Sequence, residues 1–132
     1  MDLEILKIAA DTKNHKIVKN FTHISKLKNN MCGDEMEVSL KIKNNKISDF
    51  GYQCKSCIFC QASASMLSNF SVNQSINKVN EIIQIVVSYF QDTKSKFPKE
   101  WKKLEKLFNE KNISRKDCLL LPFKTLAKAL KS

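Results

Sequence analysis

The stretch Met36-Glu37-Val38-Ser39-Leu40-Lys41-Ile42-Lys43-Asn44-Asn45-Lys46-Ile47-Ser48-Asp49-Phe50-Gly51-Tyr52-Gln53 decides the fold. Met36, Val38, Leu40 and Ile42 alternate with polar residues, the period of a strand with one face buried. Lys43-Asn44-Asn45-Lys46 predicts the turn, because asparagine tolerates the left-handed backbone. Ile47 to Gln53 then returns as the next strand. Phe21 to Leu27, after a loop from Thr12 to about Asn20, reads as the strand before this pair. Three strands therefore form a small antiparallel meander with one face in need of cover.

Helices supply that cover. Leu3, Ile5, Leu6 and Ile8 predict a short N-terminal helix. Ile58 to Phe70 carries Ala62, Ala64, Met66, Leu67 and Phe70, a face small enough to approach a sheet closely. Ile76, Val79, Ile82, Ile83, Val86, Val87 and Phe90 recur at helical spacing and mark a core-facing stripe. After a polar Asp92-to-Lys96 connection, Pro98 can open a further helix with Trp101, Leu104, Leu107 and Phe108 on one face. Ser114 and Asp117 make a capping-box-like start for a last helix toward Leu130. Pro122 removes one of its hydrogen bonds and is expected to kink or delay it, leaving Cys118 in an irregular first turn. The expectation is an α+β fold, a three-stranded antiparallel sheet covered on one face by four to five helices, in one domain spanning residues 1–132.

Composition narrows the function classes. Hydrophobic residues make up 42% of the chain, and 2 Gly and 2 Pro are too few for a disordered or low-complexity segment. Met1-Asp2-Leu3-Glu4 begins no basic-then-apolar leader, and no stretch approaches the roughly 18 apolar residues of a membrane span. These features predict a cytoplasmic protein without a membrane partner. The net charge of +10 raises nucleic acid as a partner, but the lysines are dispersed and no recognition motif accompanies them. The denser runs, Lys94 to Lys106 and Arg115-Lys116, suit an acidic protein surface better.

The five cysteines favour metal or thiol chemistry over a disulfide framework, since an odd number cannot pair fully within one chain. Cys32 opens a Cys32-Gly33-Asp34 triplet, Cys57 falls between a strand and a helix, and Cys118 lies at a helix start. Such element ends can converge. Three thiolates and the Asp34 carboxylate would fill one tetrahedral metal site, and helix N-termini favour the negative charge of such ligands. Cys54, Cys57 and Cys60 also spell Cys-x-x-Cys-x-x-Cys. With the +10 charge, that run motivates an alternative, a zinc-stabilised nucleic-acid-binding module or a purely structural zinc domain. His15, in a loop, and His23, in a strand, read as structural or solvent-facing.

Met31-Cys32-Gly33-Asp34-Glu35-Met36, the Gly51-to-Cys57 segment and Ala62-Ser63-Ala64-Ser65-Met66 resemble the NifU/IscU/SufU family of iron-sulfur cluster assembly proteins. The family pattern is Cys-Gly-Asp, a cysteine before a small-residue helix, and a third cysteine opening the last helix. The resemblance selects Cys32, Asp34, Cys57 and Cys118 as ligands, and leaves Cys54 and Cys60 outside the pattern. It implies a scaffold or sulfur carrier rather than an enzyme acting on a small molecule. Its partners would be a pyridoxal-phosphate-dependent cysteine desulfurase and apo iron-sulfur acceptor proteins. The IscU branch has His before the third cysteine and Leu-Pro-Pro-Val-Lys upstream. Here those places hold Asp117 and Asn112-Ile113-Ser114-Arg115-Lys116, which argues against an Hsp70-type chaperone partner. The long Cys57-to-Cys118 interval and Arg115 look more like the zinc-binding SufU branch. That branch implies one Zn2+ per chain, or alternatively a transient [2Fe-2S] cluster at the same residues. It also implies Cys32 as first-choice persulfide acceptor, with Cys118 second by similarity to IscU.

Overall fold

A computed structural model describes residues 3–30, 33–91 and 97–131. The expected Asp92-to-Lys96 connection and Cys32 lie outside the described residues. Helix α1 (Leu3–Ala10) is followed by strands β1 (His23–Lys28), β2 (Glu35–Lys43) and β3 (Lys46–Lys55), then α2 (Ile58–Ser71), α3 (Ile76–Tyr89), two 3-10 helices (Lys99–Lys106 and Glu110–Arg115) and α4 (Lys116–Lys131). The sheet is the expected antiparallel meander in the order β1-β2-β3. Val38 faces Tyr52 and Leu40 faces Phe50 across β2 and β3. A register shift between Lys41 and Ile42 then brings Ile42 opposite Ile47, so Ile47 and Phe50 are both buried although three positions apart.

The turn forms as the asparagines predict, with Asn44 at φ 52° and Asn45 at φ 62°. The outer edge of β3 is closed by flanking chain. The Tyr52 amide donates to the Asn14 carbonyl (3.0 Å), the Ile47 amide to the Gln74 carbonyl (3.0 Å), and the Asn73 amide to the Ile47 carbonyl (2.7 Å). An edge paired in this way offers little to a foreign strand. Gly51 makes the first of these crossings possible, because a Cβ there would lie 2.5 Å from the backbone carbonyl oxygen of Lys16.

The principal cover is α4, lying across β1 and β2, and α2, packed on β3. α1 packs on α2, and α3 packs on α4. The small face of α2 permits this approach, with Ala62, Ser63, Ala64 and Ser65 all buried. In α3, the buried residues Val79, Ile82, Ile83 and Val86 are the expected stripe, and Ser75 caps the helix by accepting from the Lys78 amide at 3.2 Å. Among the described residues, no helix is long and apolar enough to cross a membrane.

One local expectation is refined and two are corrected. The helix expected after Pro98 is present and of the 3-10 kind, consistent with Trp101, Leu104 and Leu107 recurring at intervals of three. Ser114 does not cap α4, because the 3-10 helix Glu110–Arg115 runs directly into it. Pro122 neither delays nor ends α4 and is buried inside it. It has no N–H to offer the Cys118 carbonyl four residues earlier.

Candidate metal centre

Three chain segments end at one point. The loop before β2 is closed at its base, where the Gly33 amide donates to the Asn29 carbonyl (2.7 Å) and the Asn29 amide donates to the Asp34 carbonyl (2.8 Å). Gly33 has φ +78°, with open space where a Cβ would stand. Glycine is needed there for its backbone conformation and not for room. The loop sets Asp34 at the mouth of β2, 7% exposed.

Cys57 occupies the N-cap position of α2 with extended backbone, and its side chain makes no capping hydrogen bond. Its thiol is therefore not committed to the helix it opens. Cys118 is buried in the first turn of α4. Ser63 fixes these two helices beside one another by donating to the Leu119 carbonyl at 2.6 Å. Arg115, just before α4, lies over the Phe59 ring in the first turn of α2, 5.3 Å from its centroid.

The outcome is a group of donor atoms from Asp34, Cys57 and Cys118, all within 4.8 Å of one another. Tetrahedral zinc would hold such atoms about 3.3–3.8 Å apart, given metal–ligand bonds of about 2.0–2.3 Å. Modest side-chain rotation closes the difference. The Asp34 Oδ2 atom is buried and has no hydrogen-bond partner, an arrangement costly for a carboxylate unless a cation meets it. Two thiols and one carboxylate fit zinc or iron and leave a corner for another donor. The first turns of α2 and α4 both meet the group, and at α2, which starts from extended backbone at Cys57, the helix N-terminus complements negative charge gathered there.

Of the residues expected at the site, Asp34, Cys57 and Cys118 come together. Cys32 lies outside the described residues. Cys54 and Cys60 are not in the group. Cys60 is fully buried in the core, while Cys54 is half-buried at the end of β3. Burial pushes both thiols up. His15 packs edge-on against Tyr52 (5.2 Å between ring centroids), and His23 Nδ1 lies 2.8 Å from the Thr22 hydroxyl. Neither histidine joins the group.

Sequence reasoning missed one support, Ser63. Ser63 stands within the small-residue run, which was read for close approach alone. A groove of about 230 Å3, lined by Lys28, Asn29, Asp117 and Lys124 among others, opens beside the end of β1.

A family model described as the NifU-like N terminal domain matches residues 3–108. The chain is 32% identical over 127 residues to an uncharacterized protein of Borreliella burgdorferi, covering 90% of this chain and 82% of that one. It is 27% identical over 128 residues to the iron-sulfur cluster assembly scaffold protein IscU of Thermotoga maritima, covering 96% and 89%. Among solved structures, a putative iron-sulfur cluster assembly scaffold protein for the SUF system from Fervidobacterium islandicum superposes with a TM-score of 0.88 at 23% identity, covering 98% of this chain and 96% of that one. The N-terminal part of a NifU-like protein from Brucella abortus gives 0.88 at 16% identity, covering 98% and 91%. At those identities the structural likeness speaks for the fold.

Proposed function

We propose, for a chain that belongs to the NifU-like N-terminal domain family, that it serves iron-sulfur cluster assembly as a metal-binding sulfur acceptor and scaffold. One observation carries this reading. The donor atoms of Asp34, Cys57 and Cys118 converge within 4.8 Å, with a buried Asp34 oxygen left unpartnered. In this reading Cys32, two residues before Asp34 in the sequence, would add the third thiolate to the carboxylate and two thiols gathered there. One Zn2+ held there would act as a Lewis acid that keeps its sulfur ligands as thiolates.

The chain's own residues define the rest of the chemistry. Asp34 is the hard donor among soft ones and makes the most exchangeable corner. A cysteine released from the set, Cys32 first and Cys118 second, attacks the outer sulfur of a persulfide on a pyridoxal-phosphate-dependent cysteine desulfurase. A new sulfur–sulfur bond forms on the acceptor as the desulfurase's own breaks, and its cysteine leaves as a thiolate. The sulfur, or a [2Fe-2S] cluster built as cargo on the same residues, then passes to an apo acceptor protein. Lys28 and Lys124, in the groove beside the end of β1, suit an acidic partner surface.

The test is metal and acid-labile sulfide content of anaerobically purified protein, together with Cys32→Ala and Asp34→Ala variants. The expected result is one zinc per chain, weakened in both variants, with zinc-dependent stimulation of a cysteine desulfurase that Cys32→Ala abolishes. Iron with labile sulfide would favour the cluster scaffold over the sulfur acceptor. Absence of any bound metal, with none taken up from solution, would overturn the reading.

A further inference from the structure

We propose that the cleft between α1, α2 and the 3-10 helix Lys99–Lys106 is a docking site for an acidic peptide segment of a partner protein, one that inserts a bulky apolar side chain between carboxylates. The cleft has a volume of about 410 Å3, within the range of clefts that hold ligands. One wall is α1, through Lys7 and Ile8, the other is the 3-10 helix, through Lys103, and the floor is the second half of α2, through Met66 and Phe70. None of the gathered metal donors lines it. Along α2 the floor lies about 14–20 Å beyond Cys57, at 1.5 Å per residue. The inference therefore stands whether or not the metal centre is filled.

What the cleft can recognise follows from which of its groups are already engaged. Asp11 is the one acidic residue in the lining. Its carboxylate accepts from the Asn69 side-chain amide at 3.0 Å and from the Lys13 backbone amide at 3.3 Å. The Asn69 side-chain oxygen accepts in turn from Asn14 at 3.1 Å, and the Ser65 hydroxyl donates to the Asp11 carbonyl at 2.8 Å. The polar end of the cleft is thus satisfied internally, and a ligand gains little by competing for it. What remains is an apolar floor and two cations. Ile8 and Phe70 are half-buried at the edge of the core, and covering them with an apolar side chain is favourable. Lys7 and Lys103 are exposed, one on each wall, and neither enters an ion pair among the described residues.

The placement of charge selects a peptide over a single-headed amphiphile. The 3-10 helix carries the positive rim past the cleft with exposed Lys99 and Lys102, and Lys106 ties that helix to α1 through Glu4 at 3.3 Å. A fatty carboxylate offers one anionic head. An acidic peptide offers charge on both sides of its apolar anchor, so it meets both walls at once, and such complementarity fixes register and speeds encounter. The net charge of +10 adds a long-range attraction for the same class of partner.

Trp101 makes the cleft observable. It is the chain's one tryptophan, and it packs edge-on against Phe70 with 5.1 Å between ring centroids, so its fluorescence reports on the floor. The probe is acetyl-Glu-Asp-Leu-Glu-Phe-Asp-Glu-amide, titrated into the full chain by calorimetry and by Trp101 emission. Saturable binding at low salt is expected, weakening as salt rises. Lys7→Glu/Lys103→Glu should weaken it about tenfold or more, because each reversal sets like charges against the ligand. Lys19→Glu/Lys43→Glu makes the same change of net charge at exposed positions outside the cleft and should weaken it less than about threefold. Lys7→Gln/Lys103→Gln carries the same expectation, with a smaller loss, should charge reversal disturb α1. A peptide with serine in place of its leucine and phenylalanine should also bind about tenfold more weakly. Equal losses in the two charge-reversed proteins would make the attraction diffuse and overturn the proposal. So would a serine peptide that binds as tightly, or the absence of heat and of any emission change at low salt. Sodium decanoate that saturates the cleft where the peptide does not would assign it to a single-headed amphiphile and overturn the peptide reading.

Discussion

The β2–β3 hairpin has two ends built on opposite rules. At the turn, Asn44 and Asn45 adopt left-handed backbone. There the Ile76 amide donates to the Asn45 carbonyl at 3.0 Å, and the Ile47 amide and carbonyl pair with Gln74 and Asn73. At the other end, the Asp34 and Ser56 side-chain oxygens are buried without partners, where α2 begins and the first turn of α4 brings in Cys118. The first end satisfies its polar groups and holds the register. The second leaves polar groups unsatisfied, at a cost in stability that a bound cation would offset. The difference separates the residues that make the fold from those that give it chemistry.

The largest expected effect falls on the fold alone. Leu40→Ala removes a fully buried side chain facing Phe50 and should lower unfolding free energy by about 2–5 kcal/mol. Urea titration checks this, and zinc stoichiometry of the folded protein should not change. Gly51→Ala drives a Cβ against the Lys16 carbonyl and should cost about 1–3 kcal/mol. It should also speed hydrogen exchange at the Val18 amide, which donates to the Ser39 hydroxyl at 3.0 Å.

Ser63→Ala links the two regions. Losing its bond to the Leu119 carbonyl should cost about 1 kcal/mol, and because that bond holds α2 against α4 beside Cys118, zinc affinity should fall as well. Affinity unchanged by Ser63→Ala would mean that the site does not depend on this clip.

The smallest effect is visible only in alkali. Burial pushes Tyr52 up to about 12 from 10.0. Its proton is held more tightly in the folded state, so its stabilisation is complete below about pH 10 and is lost as pH rises toward about 12. Tyr52→Phe should flatten the fall of stability across that window. An unchanged slope would assign the alkaline loss to other groups.

The legible parts of this chain are those where one local rule acts alone. Alternation from Met36 to Ile42 and the paired asparagines define the hairpin, and the Val79-to-Val86 stripe defines α3. The helix after Pro98 was legible but its kind was not, because Trp101, Leu104 and Leu107 fit the face of either helix type within so short a segment. Their strict interval of three was the available signal. Ser114 was misread because capping presumes a chain that enters the helix from extended backbone, whereas here a 3-10 turn feeds α4. At the site, Cys-Gly-Asp marked Asp34, and the small-residue helix marked Cys57. The unpartnered Asp34 oxygen was beyond reach, since it depends on long-range packing that no local pattern encodes.

Urea unfolding of wild-type protein and Asp34→Asn, each with zinc and with a chelator, tests most directly whether the open end serves a cation and not the fold. Zinc at 100 times its dissociation constant should stabilise the wild type by about 2.7 kcal/mol and the variant by clearly less. Without metal, the variant should be as stable as the wild type or more so, because it lacks a buried unpaired carboxylate. A metal-free Asp34→Asn protein less stable than metal-free wild type, with equal gains from zinc, would contradict the account and make Asp34 a structural residue.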